Sequence, residues 1–203
     1  MGVVGPLTAS DGQTPGVRLE RTGGMVTQGL HGRYYESTFR RNMYSGSVIG
    51  IISTVGLATT YTGLVLANPV QSGVNLSVNK CGFASLVQWP ASAALGLMTG
   101  FSTTAVINTT SVTPRSQFFT GGGAGQGVLG SNSTLPVAPT VNAIFAVGYG
   151  AGPINTVPSV APSFVDMEGS LLLPPGGFCA FYTSTISNTA SMSYSIQWEE
   201  ILT

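Results

Sequence analysis

Residues 192–199 read M-S-Y-S-I-Q-W-E. Met192, Tyr194, Ile196 and Trp198 fall on one parity, and Ser193, Ser195, Gln197 and Glu199 on the other. Successive side chains of a strand point to opposite faces, so this stretch predicts a strand with one buried and one wetted face. Such a strand needs neighbours in a sheet and a second layer over its apolar face. Working outward, the chain offers those neighbours. SVIGIIST (47–54), LVLANP (64–69), VNLSVNKCGFASLVQW (74–89), AALGLMTGF (93–101), TAVINTTSV (104–112), VNAIFAVGYG (141–150), FVDMEGSLLL (164–173) and FCAFYTSTI (178–186) are apolar or alternating runs divided by Gly, Pro and Asn. Short strands at this spacing predict an all-β domain, a β-sandwich or jelly roll. ASAALGLM (91–98) is the best helical candidate, but its Gly and the alternation before it favour a strand. In the run 74–89, Val74, Leu76 and Val78 set the buried parity. FCAFYTSTI, the turn SNTA (187–190) and SMSYSIQWEEI (191–201) predict a closing hairpin. TGGGAGQGVLGSNSTLP (120–136) predicts a long loop.

Composition narrows the class. The chain has 203 residues, 43% of them hydrophobic and only 7% charged, with zero net charge. A globular domain ordinarily carries about 25% charged residues. Low hydrophobicity with high net charge marks disorder, and neither is present. A neutral, charge-poor chain has no global field to draw it to nucleic acid or to an anionic membrane, and little colloidal repulsion. It is better suited to an assembly than to free solution. The most apolar stretch, 47–69, is long enough to span a bilayer, but its Gly, Thr and β-branched residues and its pre-proline end predict strands. No targeting segment is expected in MGVVGPLTASDGQTPG (1–16), where Gly and Pro precede any apolar run.

The few charges are unevenly placed. Asp11, Arg18, Glu20, Arg21, Arg33, Glu36, Arg40 and Arg41 all precede residue 42, and between there and Val165 only Lys80 and Arg115 follow. Two units are therefore expected: an extended N-terminal arm or interface segment over 1–44, and a β-sandwich over 45–203. At their junction GRYYESTFRRNMYSG (32–46) mixes Arg33, Arg40 and Arg41 with Tyr34, Tyr35, Phe39 and Tyr44. Arg and aromatics are enriched where proteins meet, which makes these seven residues the candidate interface. The competing reading is that the rings begin the core and the arginines are solvated.

Catalytic chemistry is poorly provided for. GQGVLG (125–130) matches the dinucleotide fingerprint, but SNSTLP follows where a helix must begin, and the next acid is Asp166. His31 is the single histidine and stands between glycines in the arm, too little for a triad or a metal site. Asp166 with Glu168, or Glu199 with Glu200, could each offer a carboxylate to a glycosidase-like cleft, though solvated charges at strand ends are the simpler account. Cys81 and Cys179 have no metal-ligand spacing and read as small buried residues, with a disulfide left open. Three sequons, at Asn75, Asn108 and Asn132, are what a chain rich in Asn, Ser and Thr contains by chance. No catalytic residue, cofactor or metal is assigned.

The stretches GRYYESTFRRNMYSGS (32–47), LANPVQSGVNLSV (66–78), LLLPPGGFCAFYTST (171–185) and SIQWEEI (195–201) together resemble virion structural proteins of tailed bacteriophages. Within that group the chain looks like a capsid cement or decoration protein, or another head-associated protein. The resemblance implies a non-enzymatic structural role at the capsid surface of a virion made in the host cytoplasm. It implies the major capsid protein and further copies of itself, as a trimer, as partners, with no nucleic acid and no membrane. A phage fibre or adhesin holding a host glycan is the alternative it leaves open, with a virion-associated hydrolase behind both. No catalytic motif is carried over.

Overall fold

The computed structural model describes residues 33–87, 89–119, 124–148, 163–188 and 191–203. The domain is all-β, as the alternating runs predict. Glu36–Thr203 form one compact unit, and its described residues make twelve strands in two antiparallel sheets. One sheet runs β10 (Ser163–Leu173), β4 (Val74–Ser85), β12 (Met192–Leu202), β1 (Met43–Ile51), β7 (Arg115–Ser116). The other runs β9 (Thr140–Gly148), β5 (Ala93–Phe101), β11 (Gly177–Thr183), β3 (Val65–Ala67), β8 (Val128–Thr134). There β2 (Thr60–Tyr61) continues beyond β3 along β8, and β6 (Ile107–Val112) covers the far side of β8. A single-turn helix, α1 (Tyr35–Phe39), precedes β1. The arm expected over 1–44 lies outside the described residues as far as residue 32, and His31 with it; β1 takes up its last two residues, Met43 and Tyr44.

The opening stretch occupies the middle of the first sheet. Along β12, Met192, Tyr194, Ile196 and Trp198 are buried and the serines between them half-buried, as the period demands. Tyr194 stacks on Phe181 of β11 with ring centroids 4.4 Å apart, and Trp198 stacks on Tyr44 of β1 at 6.0 Å. The core thus lies between the sheets, where Leu76, Val78, Cys81 and Phe83 of β4 face Leu95 and Leu97 of β5 and Cys179 of β11. Burying a Leu or Phe side chain contributes ~1.5–3 kcal/mol, so this layer dominates the stability.

A second cluster backs the other sheet. Val65 and Ala67 of β3, Phe178 and Ala180 of β11 and Met98 of β5 pack with Tyr61 and Leu135. This central part of the sheet is buried on both faces, which is why LVLA and FCAFY read as continuous apolar runs rather than alternating ones. Asn68, 2% exposed, joins the two layers: its Nδ2 donates to the carbonyls of Val74 (2.7 Å) and Leu173 (2.9 Å), while its backbone pairs with Gly176 and Gly177.

Four sequence expectations are corrected. The closing hairpin does not form: β11 pairs with β3 and β5, and β12 with β4 and β1, so the connection after β11 crosses between the layers. Local turn chemistry favoured the hairpin, but each strand is paired on both sides by strands distant in sequence. The expected loop at 120–136 contains β8, whose Leu129, Gly130, Ser131 and Ser133 are buried. Its strand character is imposed by pairing on both sides, not by propensity. In β4 the buried parity set by Val74, Leu76 and Val78 does not persist: a bulge at Asn79 shifts it to Cys81, Phe83 and Ser85. Glu200, read as solvated, is 8% exposed. AALGLMTGF does form strand β5, as its alternation predicts.

Candidate interaction surface

The outer face of the five-stranded sheet carries a concavity. Register places Ser47 of β1 opposite Ser195 of β12, Ser195 opposite Gly82 of β4, and Gly82 opposite Phe164 of β10. Three small residues in a row leave a trough, and the Phe164 ring leans over its glycine. A Cβ at Gly82 would stand 2.4 Å from Ser195 Oγ and 2.6 Å from that ring, so the floor must be glycine. Depressions of about 330 and 280 Å³ meet over Gly82, Phe164 and Ser195. Ile49, 77% exposed, and Phe164, 76% exposed, form the walls. Ser45, Gln117 and Gln197 add hydroxyl and amide groups, and Lys80 is the one charged lining residue among the described residues. Gln117 Nε2 donates to Ser45 Oγ at 2.5 Å, which anchors the rim. Such a surface supplies shape, hydroxyls and an aromatic face, a binding chemistry.

A second apolar surface follows from two bulges in the edge strand β9. The register steps from Leu95–Ala146 to Gly96–Ile144 and from Leu97–Ala143 to Met98–Val141, so Phe145 and Asn142 are the extra residues. Each bulge resets the alternation. Val141, Ile144 and Val147 consequently stand opposite Met98, Gly96 and Ala94, on the side of the sheet that faces away from Leu95 and Leu97. They are 42%, 50% and 54% exposed. Close approach at Gly96 makes this possible, since a Cβ there would lie 1.9 Å from the carbonyl oxygen of Ala143. Strict alternation would have set Val141 and Val147 with Phe145, so the stripe was hidden from a period-2 reading.

The seven candidate interface residues are not one group. Arg33, Tyr34 and Tyr35 precede the compact unit, and the Arg33 guanidinium lies 5.9 Å from the Tyr34 ring centroid. Phe39 is 51% exposed at the end of α1. Arg40 pairs with Glu36 one turn back at 2.6 Å, an exposed i,i+4 bridge worth ~0.3–0.5 kcal/mol. Arg41 has φ of +63° and closes α1: its N–H donates to Thr38 and that of Asn42 to Ser37. That position ordinarily takes glycine. The Arg41 guanidinium sits 5.0 Å from the Phe118 ring centroid, and this cation–π contact offsets the backbone cost. Tyr44 belongs to the core, 7% exposed against Trp198; burial chiefly, and the Glu200 carboxylate next, raise its phenol above the ordinary range.

The carboxylates are placed apart. Asp166 and Glu168 are both exposed on edge strand β10, where the Glu168 N–H donates to Asp166 Oδ1 at 3.2 Å inside a wide bulge. Glu200 instead accepts from the backbone N–H groups of Gln126 and Gly127, both at 2.9 Å, and from Trp198 Nε1 at 3.3 Å. The Gln126 and Gly127 amides of the GQGVLG motif are thus taken by the chain's own carboxylate. Its glycines let the segment pass over the core, since a Cβ at Gly127 would meet Trp198 Nε1 at 3.0 Å. Among the described residues no group of three or more His, Cys, Asp or Glu could hold a metal ion, and no helix is long and apolar enough to cross a membrane. Residues 47–69 form parts of β1, β2 and β3.

No protein-family model matches the chain, and neither the curated proteins nor the solved structures contain a match to it.

Proposed function

We propose that this chain is a non-enzymatic virion structural protein, a cement or decoration protein that binds the outside of a phage capsid and stabilises the shell. The sequence resemblance supplies the setting. The observation that carries the reading is the Val141–Ile144–Val147 stripe on an edge strand without a charge or proline. Edge strands of free proteins are commonly blunted by Lys, Pro or inward charges, and contiguous exposed apolar surface marks a contact site. On a neutral chain with 7% charged residues, such a stripe calls for a covering partner. The partners in this reading are the major capsid protein and further copies of the chain, arranged as a trimer. Many weak contacts around a shell add by avidity. In this scheme Phe39, Arg40 and Arg41, exposed ahead of β1, join the contact. A protein that binds only the assembled state stabilises it by mass action. Particles lacking the chain release their genome at lower temperature, and adding it back restores them. Ile144→Asp with Val147→Asp abolishes that rescue while the far-UV spectrum keeps its β signature.

The trough favours one alternative, a phage fibre or adhesin module that holds a host surface glycan. Hydroxyls, amides and an exposed ring with little charge suit a neutral sugar. Particles that keep full heat resistance without the chain, yet fail to adsorb to cells, decide for that alternative.

A further inference from the structure

We propose that the trough on the five-stranded sheet is a binding site for a neutral N-acetylated amino sugar, with the sugar ring against Phe164 and the acetamido group at Gln197. The proposal rests on the reading of the trough as a glycan site and names the sugar it takes. It does not compete with the capsid reading, because the trough lies on the outer face of one sheet and the β9 stripe on the outer face of the other. One chain can therefore hold a shell on one side and a sugar on the other.

Register builds two rows across the sheet. The first is Ser47, Ser195, Gly82 and Phe164, and the second is Ser45, Gln197, Lys80 and Asp166. The rows are two residues apart on every strand, ~7 Å. In the first row the Phe164 ring leans over Gly82 and is 76% exposed, so a broad apolar surface stays open beside two hydroxyls. Among the described residues no hydrogen bond engages the side chains of Ser47, Ser195 or Gln197. The negative face of an aromatic ring attracts the C–H groups of a pyranose, and free serine hydroxyls bond its hydroxyls. An acetamido group carries one N–H donor and one carbonyl acceptor, and a primary amide offers the complementary pair. Gln197 supplies that amide one row away from the serines. Gln117 is already held on Ser45 Oγ at 2.5 Å and frames the same end. Lys80 stands opposite Asp166 in register, so this end carries no net charge and favours an uncharged substituent over a carboxylate. A peptide adding as a strand needs a sheet edge, whereas β12 and β4 under the trough are each paired on both sides. Depressions of about 330 and 280 Å³ stand at the small end of ligand pockets, ~300–1,000 Å³, which suits one or two sugar rings.

The test titrates the isotope-labelled full chain by NMR with N-acetylglucosamine, N-acetylgalactosamine and glucose to ~50 mM, a range that captures a Kd on the order of 1 mM. At least one N-acetyl sugar should shift the amide signals of Ser47, Gly82, Phe164, Ser195 and Gln197 to saturation. It should bind at least ~5-fold more tightly than glucose, the worth of one hydrogen-bonded group. Phe164→Ala, at an exposed position, weakens binding of every sugar ~10-fold. Gln197→Ala lowers the affinity for the N-acetyl sugar to that for glucose and leaves glucose unchanged. Ile144→Asp with Val147→Asp, which tests the capsid reading, keeps the sugar shifts. Equal binding of glucose and the N-acetyl sugars overturns the proposal while leaving the trough a glycan site, whereas no saturable shift with any sugar removes the glycan reading as well. Full affinity in Phe164→Ala overturns it too. Trough signals that move with protein concentration in the absence of sugar overturn it in favour of a second copy of the chain.

Discussion

Two buried polar side chains do work that their residue types conceal. Asn68 donates to carbonyls on β4 and at the end of β10 from the start of the turn after β3. Asn68→Asp keeps the shape but replaces the Nδ2 group that donates to both carbonyls with an oxygen that faces them. A buried group left in that state costs about 1–3 kcal/mol, more when charged, and the expected loss is about 3 kcal/mol or above, read by urea denaturation. Glu200 is the second case. Its charge-assisted bonds to Gln126 and Gly127 hold the GQGVLG segment against Trp198. Glu200→Gln retains one acceptor oxygen and gives up the charge, with an expected loss of about 1.5–3 kcal/mol. Amide exchange at Gln126 and Gly127 should rise with it; unchanged protection there counts against the clamp. Both residues stand in stretches legible in advance, N-P and W-E-E, but the partners lie far away in sequence.

Among the elements, β9 carries the most informative test. Gly96 permits its twice-bulged pairing because the carbonyl of Ala143 approaches where a side chain would be. Gly96→Val forces β9 off β5. It should expose Phe145 and Ala146, which pack against the core, and cost about 2–4 kcal/mol as a clash within a packed layer. A dye that fluoresces on apolar surface detects the change, and a variant as stable as the parent rules out the close approach. At α1, Arg41→Gly relieves the left-handed backbone but removes the contact with Phe118. These terms are each about 1 kcal/mol and oppose one another, so stability should move by less than about 0.5 kcal/mol. In the capsid-binding reading proposed above for the arginines and aromatics of 33–44, the same variant lowers capsid occupancy without unfolding the domain.

The whole molecule is built on groups that must stay neutral. Burial raises Tyr61, Tyr194 and both cysteines above their ordinary ranges. The unfolded chain releases those protons first, near 9.0 for thiols and 10.0 for phenols. Their contribution is complete below the unfolded values and is lost as pH rises toward the folded ones. Stability of the reduced protein should be flat from about pH 6 to 8. Each thiol then subtracts up to ~1.4 kcal/mol per pH unit above 9, and each phenol the same above 10. Denaturation curves at pH 7, 9 and 10.5 check the sign: a protein equally stable at all three does not hold these groups neutral.

Period 2 in residues 192–199 was sufficient to place a half-buried strand, and repetition of similar runs to place an all-β domain, because side-chain alternation is a local property of the backbone. Pairing is not local. FCAFY and SMSYSIQW read as neighbours through SNTA, yet each joins a different sheet, since non-local burial outweighs one favourable turn. Bulges at Asn79, Asn142 and Phe145 reset which residues face the core, and a bulge is defined by the partner strand it opposes. The Gly-rich run became β8 for the same reason. Of the candidate interface residues, Arg40 pairs with Glu36 and Arg41 sits over Phe118, while Tyr44 turned inward because Trp198 stands opposite it in the register. The trough and the β9 stripe were legible only in three dimensions, because both depend on which small or apolar residues the register brings side by side.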